Sequence, residues 1–142
     1  MADIKSRIAK RVAKEMHNGD VVNLGIGLPT MVPQFIPDDV IVTLHSENGF
    51  AKLAGPVTEA GEVDVDVIDS GGTYVKTVDR VKYFDAADSF GIIRGGHVDA
   101  TVLGAMQFAP NGDLANWIIP GKKVAGMGGA MDLVVGAKKV IR

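Results

Sequence analysis

The apolar run Val40-Ile41-Val42-Thr43-Leu44 leads directly into Ser46-Glu47-Asn48-Gly49. So many β-branched and apolar residues predict a buried strand, and Asn-Gly predicts a turn. A carboxylate therefore stands at the C-terminal end of a strand, where open α/β sheets bind their ligands. The residues alone leave two readings of Glu47 open. One is an acid that stabilises a turn or caps a helix. The other is a nucleophilic carboxylate of the kind that forms covalent acyl intermediates.

A chain of 142 residues suffices for one domain, here 1–142, burying roughly two-thirds of its unfolded surface. With 46% hydrophobic and 23% charged residues it reads as a globular protein. A net charge of −2 offers no electrostatic argument for nucleic acid or an anionic membrane as partner. The absence of cysteine excludes disulfides, thiolate chemistry and cysteine-bound metal. No apolar stretch approaches the ~18 residues of a membrane span. The charged N-terminal residues do not resemble a signal sequence, so the cytoplasm is the expected location.

Ile4, Ile8, Val12 and Met16 recur every four residues, with Lys5, Arg7, Lys10, Arg11 and Lys14 on the other face. This predicts an amphipathic helix with Asp3 as N-cap and Asn18-Gly19 as its stop. A strand Val21–Leu24 follows, then a short helix from Met31 to about Phe35, capped by Thr30 and stopped by Pro37. After the strand to Leu44 and the Glu47 turn, residues 51–62 read as loop. Val63, Val65 and Val67 alternate with Asp64, Asp66 and Ile68, predicting a half-solvated strand. The stretch 73–84 carries no clear pattern. A helix is expected over Ala86–Ile93, ending at Gly95-Gly96, and a buried strand over Ala100–Met106. Pro110-Asn111-Gly112-Asp113 is a turn, Ala130–Val135 a helix, and Lys138–Ile141 the start of a strand. Strands alternating with helices predict an α/β fold with a largely parallel sheet flanked by helices. The chain stops at Arg142, a few residues into an apolar run, so the expectation is a piece of a longer protein, incomplete on the C-terminal side of the sheet.

Glycine clusters among the 18 glycines invite nucleotide readings, but spacing rejects them. A dinucleotide fingerprint from Gly25 needs a small residue where Thr30 stands, and one from Gly126 needs it where Met131 stands. A P-loop at Gly121-Lys122 needs Ser or Thr where Lys123 stands. What survives is backbone N–H groups at glycine turns before helices, suited to an anion or a developing oxyanion. His17, His45 and His97 are scattered without metal-ligand spacing, so no metal site is expected. The acids Glu62, Asp64 and Asp66 read as a solvated face. No serine sits in a Gly-x-Ser-x-Gly elbow.

Longer motifs carry a resemblance. Asn23-Leu24-Gly25-Ile26-Gly27-Leu28-Pro29-Thr30, Ser46-Glu47-Asn48-Gly49 and Ile93-Arg94-Gly95-Gly96-His97-Val98-Asp99 resemble the β subunit of family I CoA-transferases, the 3-oxoacid type. Leu114-Ala115-Asn116-Trp117 and Gly126-Met127-Gly128-Gly129-Ala130-Met131-Asp132-Leu133 continue the match in order. Two departures accompany it. Family β subunits continue beyond the position of Arg142, and Thr77–Lys82 is more charged than the family's corresponding stretch.

The resemblance implies a fold shared with ribose-5-phosphate isomerases and makes Glu47 the covalent nucleophile. Coenzyme A enters as substrate, with no tightly bound cofactor. The implied partners are an α subunit, an acyl-CoA (acetoacetyl-CoA or succinyl-CoA type) and a carboxylic acid. Gly128 and Gly129 are the candidate oxyanion donors, and Asn48, Gln107 and Gly27 are candidates for holding substrate. Two alternatives stay open at this stage. An acyl-CoA hydrolase of the same fold would turn over without an acceptor acid, and a truncated fragment would fold without catalysis. The expected state is an oligomer, with little or no activity from this chain alone.

Overall fold

A computed structural model describes residues 2–124 and 126–142. In chain order the elements are α1 (Ala2–Ala13), β1 (Val21–Leu24), a 3₁₀ helix (Leu28–Phe35), β2 (Thr43–Ser46), β3 (Phe50–Pro56), a 3₁₀ turn (Ala60–Glu62), β4 (Val75–Tyr83) and α2 (Ala86–Arg94). Then come β5 (Ala100–Val102), β6 (Gln107–Phe108), β7 (Leu114–Ala115), β8 (Ile118–Ile119), β9 (Lys123–Val124), α3 (Ala130–Gly136) and β10 (Lys139–Ile141). Six strands form one sheet in the order β10-β5-β1-β2-β3-β4, while β6–β7 and β8–β9 are separate small hairpins. β10, β5, β1 and β2 run parallel, and β3 and β4 are antiparallel additions. The parallel α/β class is thus what the alternation predicts.

The pleat sorts the two faces. Val22, Leu44, Ala100 and Val102 point to one side and pack with Met16, Val12 and Ile36 from the α1 and 3₁₀ region. Ala9, Ala13 and Val32 continue that layer. On the other side, Ile93, Val98, Leu103 and Leu133 hold α2 and α3 to the sheet. Gly136 makes the α2–α3 approach possible, since a Cβ there would lie 2.3 Å from the Ile93 carbonyl oxygen. Asp99 ties two strand starts together, accepting from Val21 N at 2.8 Å and Lys138 Nζ at 2.7 Å. Both contacts hold its carboxyl below the usual range, Lys138 most.

Several expected boundaries move. α1 begins at Ala2, so Asp3 lies inside its first turn rather than at the cap, and the helix ends at Ala13, short of Met16. Its buried face is Ala9, Ala13 and Met16, whereas Ile4 and Ile8 are exposed. The short helix starts at Leu28 behind Gly27, so Thr30 is internal to it; Thr30 Oγ1 donates back to the Gly27 carbonyl at 2.7 Å. β2 starts at Thr43 because Ile41 N binds Asn18 Oδ1 and Ile41 O accepts from Gly19 N, outside the ladder. β5 stops at Val102, as Asn116 takes up Met106 N and Gly104 O.

Two expectations fail outright. Residues 51–62 are not all loop, for Asn48-Gly49 closes a hairpin whose second strand is β3. Residues 63–67 are not a strand. Asp64 Oδ1 accepts from Asp66 N and the Asp64 carbonyl from Val67 N, so a side-chain-stabilised turn replaces the ladder. Only Val67 of the three valines is buried. No described helix is long and apolar enough to cross a membrane.

Candidate active site

β1 pairs with β2 on one side and β5 on the other, so the chain reverses its winding direction at β1. Open α/β sheets bind ligands outside the carboxyl ends of strands at such a point. There the structure has a cleft of about 570 Å³, whose lining includes Asn23, Gly25, Glu47, Ser70, Gly104 and Gly129.

Glu47 enters the cleft from the tip of the β2–β3 hairpin. The tip is tight because Gly49 takes φ 134° and lies so close to β4's end that a Cβ would be 2.4 Å from the Phe84 carbonyl oxygen. Glycine is required there by both conformation and space. The Glu47 carboxylate is half-buried and held through one oxygen. Oε2 accepts from Asn23 Nδ2 at 3.2 Å and from Ser70 Oγ at 2.9 Å. Opposite stands the entry to α3, where a Cβ on Gly129 would lie 3.2 Å from Glu47 Cγ and 3.4 Å from Oε1. The absence of a side chain at 129 lets the backbone approach the acid.

The loop bearing Ser70 is fastened to the hairpin by motif neighbours. Ser46 Oγ accepts from Ser70 N at 3.1 Å, and Asn48 Nδ2 donates to the Ile68 carbonyl at 2.6 Å. Asn48 thus ties down the loop that supplies Ser70. Gly128 sits at φ 53° before α3, and the amides of Ala130, Met131 and Asp132 bond back to the Met127, Gly128 and Gly129 carbonyls. Among the described residues no hydrogen bond engages the Gly128 and Gly129 amides.

The structure therefore gathers Glu47, Gly128 and Gly129 around one cleft, with Asn48 behind them. It does not bring in Gln107, which is exposed on the β6 hairpin, or Gly27, which is exposed at the start of the 3₁₀ helix. Sequence reading assigned no site role to Asn23, Ser70 or His45. Asn23 carried a signal, being the one amide in a four-residue strand that is otherwise Val and Leu. Ser70 carried none, as it reaches Glu47 only through the fold of a loop 23 residues away.

A parallel-sheet domain with a carboxylate held at its switch point defines the class of site, and similarity to known proteins supplies the family. The family model described as coenzyme A transferase matches residues 5–142, and the chain belongs to that family. The beta subunit of acetate CoA-transferase from Escherichia coli K12 is 55% identical over 98% of this chain and 62% of its own length. One of the two kinds of subunit of a probable succinyl-CoA:3-ketoacid coenzyme A transferase from Bacillus subtilis is 50% identical over 99% of this chain and 65% of its own. The chain thus spans just under two thirds of these curated relatives. Among solved structures, apo acyl-CoA transferase YdiF of Escherichia coli O157:H7 superposes with a TM-score of 0.71 at 25% identity, over 96% of this chain and 23% of that one. The decarboxylase AibA/AibB superposes with a TM-score of 0.72 at 18% identity, over 96% of this chain and 56% of that one, and shows a shared fold only.

Proposed function

We propose that this chain is the nucleophile-bearing part of a CoA-transferase that acts with a second, α-type subunit on short acyl-CoA and carboxylate substrates. Since fold alone does not fix chemistry, the reading rests on one observation. Glu47 faces the switch-point cleft with one oxygen gripped by Asn23 and Ser70 and the other facing Gly129.

That asymmetry suits the reaction. Glu47 Oε1 attacks the acyl-CoA carbonyl carbon and expels CoA thiolate, leaving a mixed anhydride. The thiolate then attacks Cδ of Glu47, the Cδ–Oε1 bond breaks, and the first acid departs with Oε1, leaving a glutamyl-CoA thioester. An acceptor carboxylate reverses both steps and restores the carboxylate. In the second step negative charge develops on Oε2, where the Asn23 and Ser70 donors already lie at 3.2 and 2.9 Å. Donors in place before the charge forms lower the barrier without reorganisation. The amides of Gly128 and Gly129 serve the other tetrahedral intermediate, on the acyl carbon. The anhydride must be kept from water, a task that falls to the partner subunit closing over the cleft.

Steady-state kinetics of the chain with its partner test the scheme. A covalent intermediate predicts ping-pong behaviour, with parallel double-reciprocal lines for donor and acceptor. Intersecting lines, or acyl-CoA turnover without an acceptor acid, would replace the proposal with direct transfer or hydrolysis.

A further inference from the structure

Four polar side chains form a buried row on the α2–α3 face of the sheet. Thr101, Asn23 and His45 lie in register on β5, β1 and β2, and Ser89 meets them from α2. Their relative exposures are 0%, 1%, 4% and 0% in that order. Burying polar groups is unfavourable unless they are partnered, and this row runs through a core otherwise made of aliphatic side chains. Asn23 is the member that touches Glu47.

The Asn23 amide nitrogen has two hydrogens and three acceptors in reach. These are Glu47 Oε2 at 3.2 Å, the His45 carbonyl at 3.2 Å and His45 Nδ1 at 3.3 Å. One hydrogen serves the carboxylate, and the other is shared between the carbonyl and the ring nitrogen of His45. From the opposite side Thr101 exerts no hold, its hydroxyl having no hydrogen bond among the described residues. The orientation of the amide is therefore set from the His45 side. For Nδ1 to accept, the ring must carry its single proton on Nε2, where Ser89 Oγ lies 3.2 Å away to receive it. Phe84 stacks on the imidazole, with centroids 5.9 Å apart, and fixes the ring plane.

We propose that His45 is a positioning residue for the Glu47 reaction, its Nε2–H tautomer, held by Ser89, aiming the Asn23 amide at Glu47 Oε2. The inference rests on the reading of Glu47 as nucleophile. Burial depresses the ring's pKa and outweighs the opposing pull of the Glu47 charge, which keeps the imidazole neutral at pH 7. The groups that meet it from β1, α2, β3 and the end of β4 are Asn23, Ser89, Ala51 and Phe84, all uncharged, so Glu47 is the charge it feels. A protonated ring would set an N–H against the Asn23 N–H and turn the amide from the carboxylate.

Asparagine at position 45 puts an acceptor near the Nδ1 position, whereas glutamine reaches the Nε2 position. His45→Asn therefore keeps the partner of Asn23, and His45→Gln keeps only that of Ser89. The readouts, with the partner subunit present, are the rate of CoA attachment to Glu47, the KM for acyl-CoA and the melting temperature. Loss of a hydrogen bond to a charged group predicts attachment about 10- to 100-fold slower in His45→Gln, at unchanged KM. His45→Asn should recover most of that rate although both variants lose stability. Equal rates in the two variants, or rates that track melting temperature, would overturn the proposal. A second readout does not depend on variants that fold. In protein labelled with ¹⁵N-histidine, His45 (identified by its absence from His45→Asn) should show a protonated Nε2 and a bare Nδ1 at pH 7. A protonated Nδ1 would overturn the proposal whatever the kinetics. No CoA on Glu47 of the unaltered protein during turnover would instead overturn the nucleophile assignment.

Discussion

The parallel half of the sheet and its antiparallel edge differ in how they are held. β5 is buried along its whole length and β1 and β2 along most of theirs, with α1 and the 3₁₀ helix on one face and α2 and α3 on the other. β4 has one buried residue in nine, and β3 meets it with register shifts on either side of Leu53. Lys52 and Arg80 sit at φ 72° and 66°, a left-handed backbone that L-residues adopt at a cost. Packing therefore sets the position of the first half, while local turns and bulges set that of the second. Glu47 lies at their junction: β2 aims it, and the hairpin and the Ser70 loop hold it.

If the chemistry belongs to that junction, Glu47→Gln removes it and leaves both halves standing. The expected loss of CoA exchange is on the order of 10⁴-fold or more, with the melting transition kept; retained exchange would detach function from the switch point. Gly49→Ala strikes the joint itself, combining a positive φ with a Cβ 2.4 Å from the Phe84 carbonyl. It should cost about 3 kcal/mol or more by denaturant titration. A smaller contrast compares the halves directly. Val22→Ala, fully buried in β1, should cost about 2 kcal/mol, whereas Val78→Ala, 45% exposed on β4, should stay within about 0.5 kcal/mol. Equal costs would erase the distinction.

The smallest effect is a pH slope. The folded state resists protonating His45, and the unfolded chain takes up that proton below its ordinary value near ~6.5. This contribution to stability is thus constant above that pH and lost as pH falls through it toward the depressed folded value. His45→Asn should flatten the slope in chemical denaturation between pH 7 and 5.

The same division explains what was legible in the residues. Val21–Leu24, Ala86–Arg94 and Ala130–Gly136 obey simple rules of burial and helix start, and their elements appear close to where pattern puts them. β3 was invisible because Lys52, Gly55 and Pro56 spoil any alternation, and its pairing depends on β4, a strand whose charged residues carry no pattern either. The valine alternation at 63–67 misled because Asp64 offers the backbone a turn that competes with a ladder. At the site, Glu47, Gly128 and Gly129 stand at turns that glycine announces. Asn23, Ser70 and His45 join them through cross-strand register and loop closure, which no local pattern encodes.

The central claim is that Glu47 becomes covalently linked to CoA. The direct measurement is peptide mass spectrometry after the chain and its partner subunit are mixed with acetoacetyl-CoA or succinyl-CoA and no acceptor acid. The account predicts a CoA adduct on the peptide containing Glu47, reduced by borohydride to an alcohol and absent from Glu47→Gln. Unmodified Glu47 in protein shown to be turning over would contradict it.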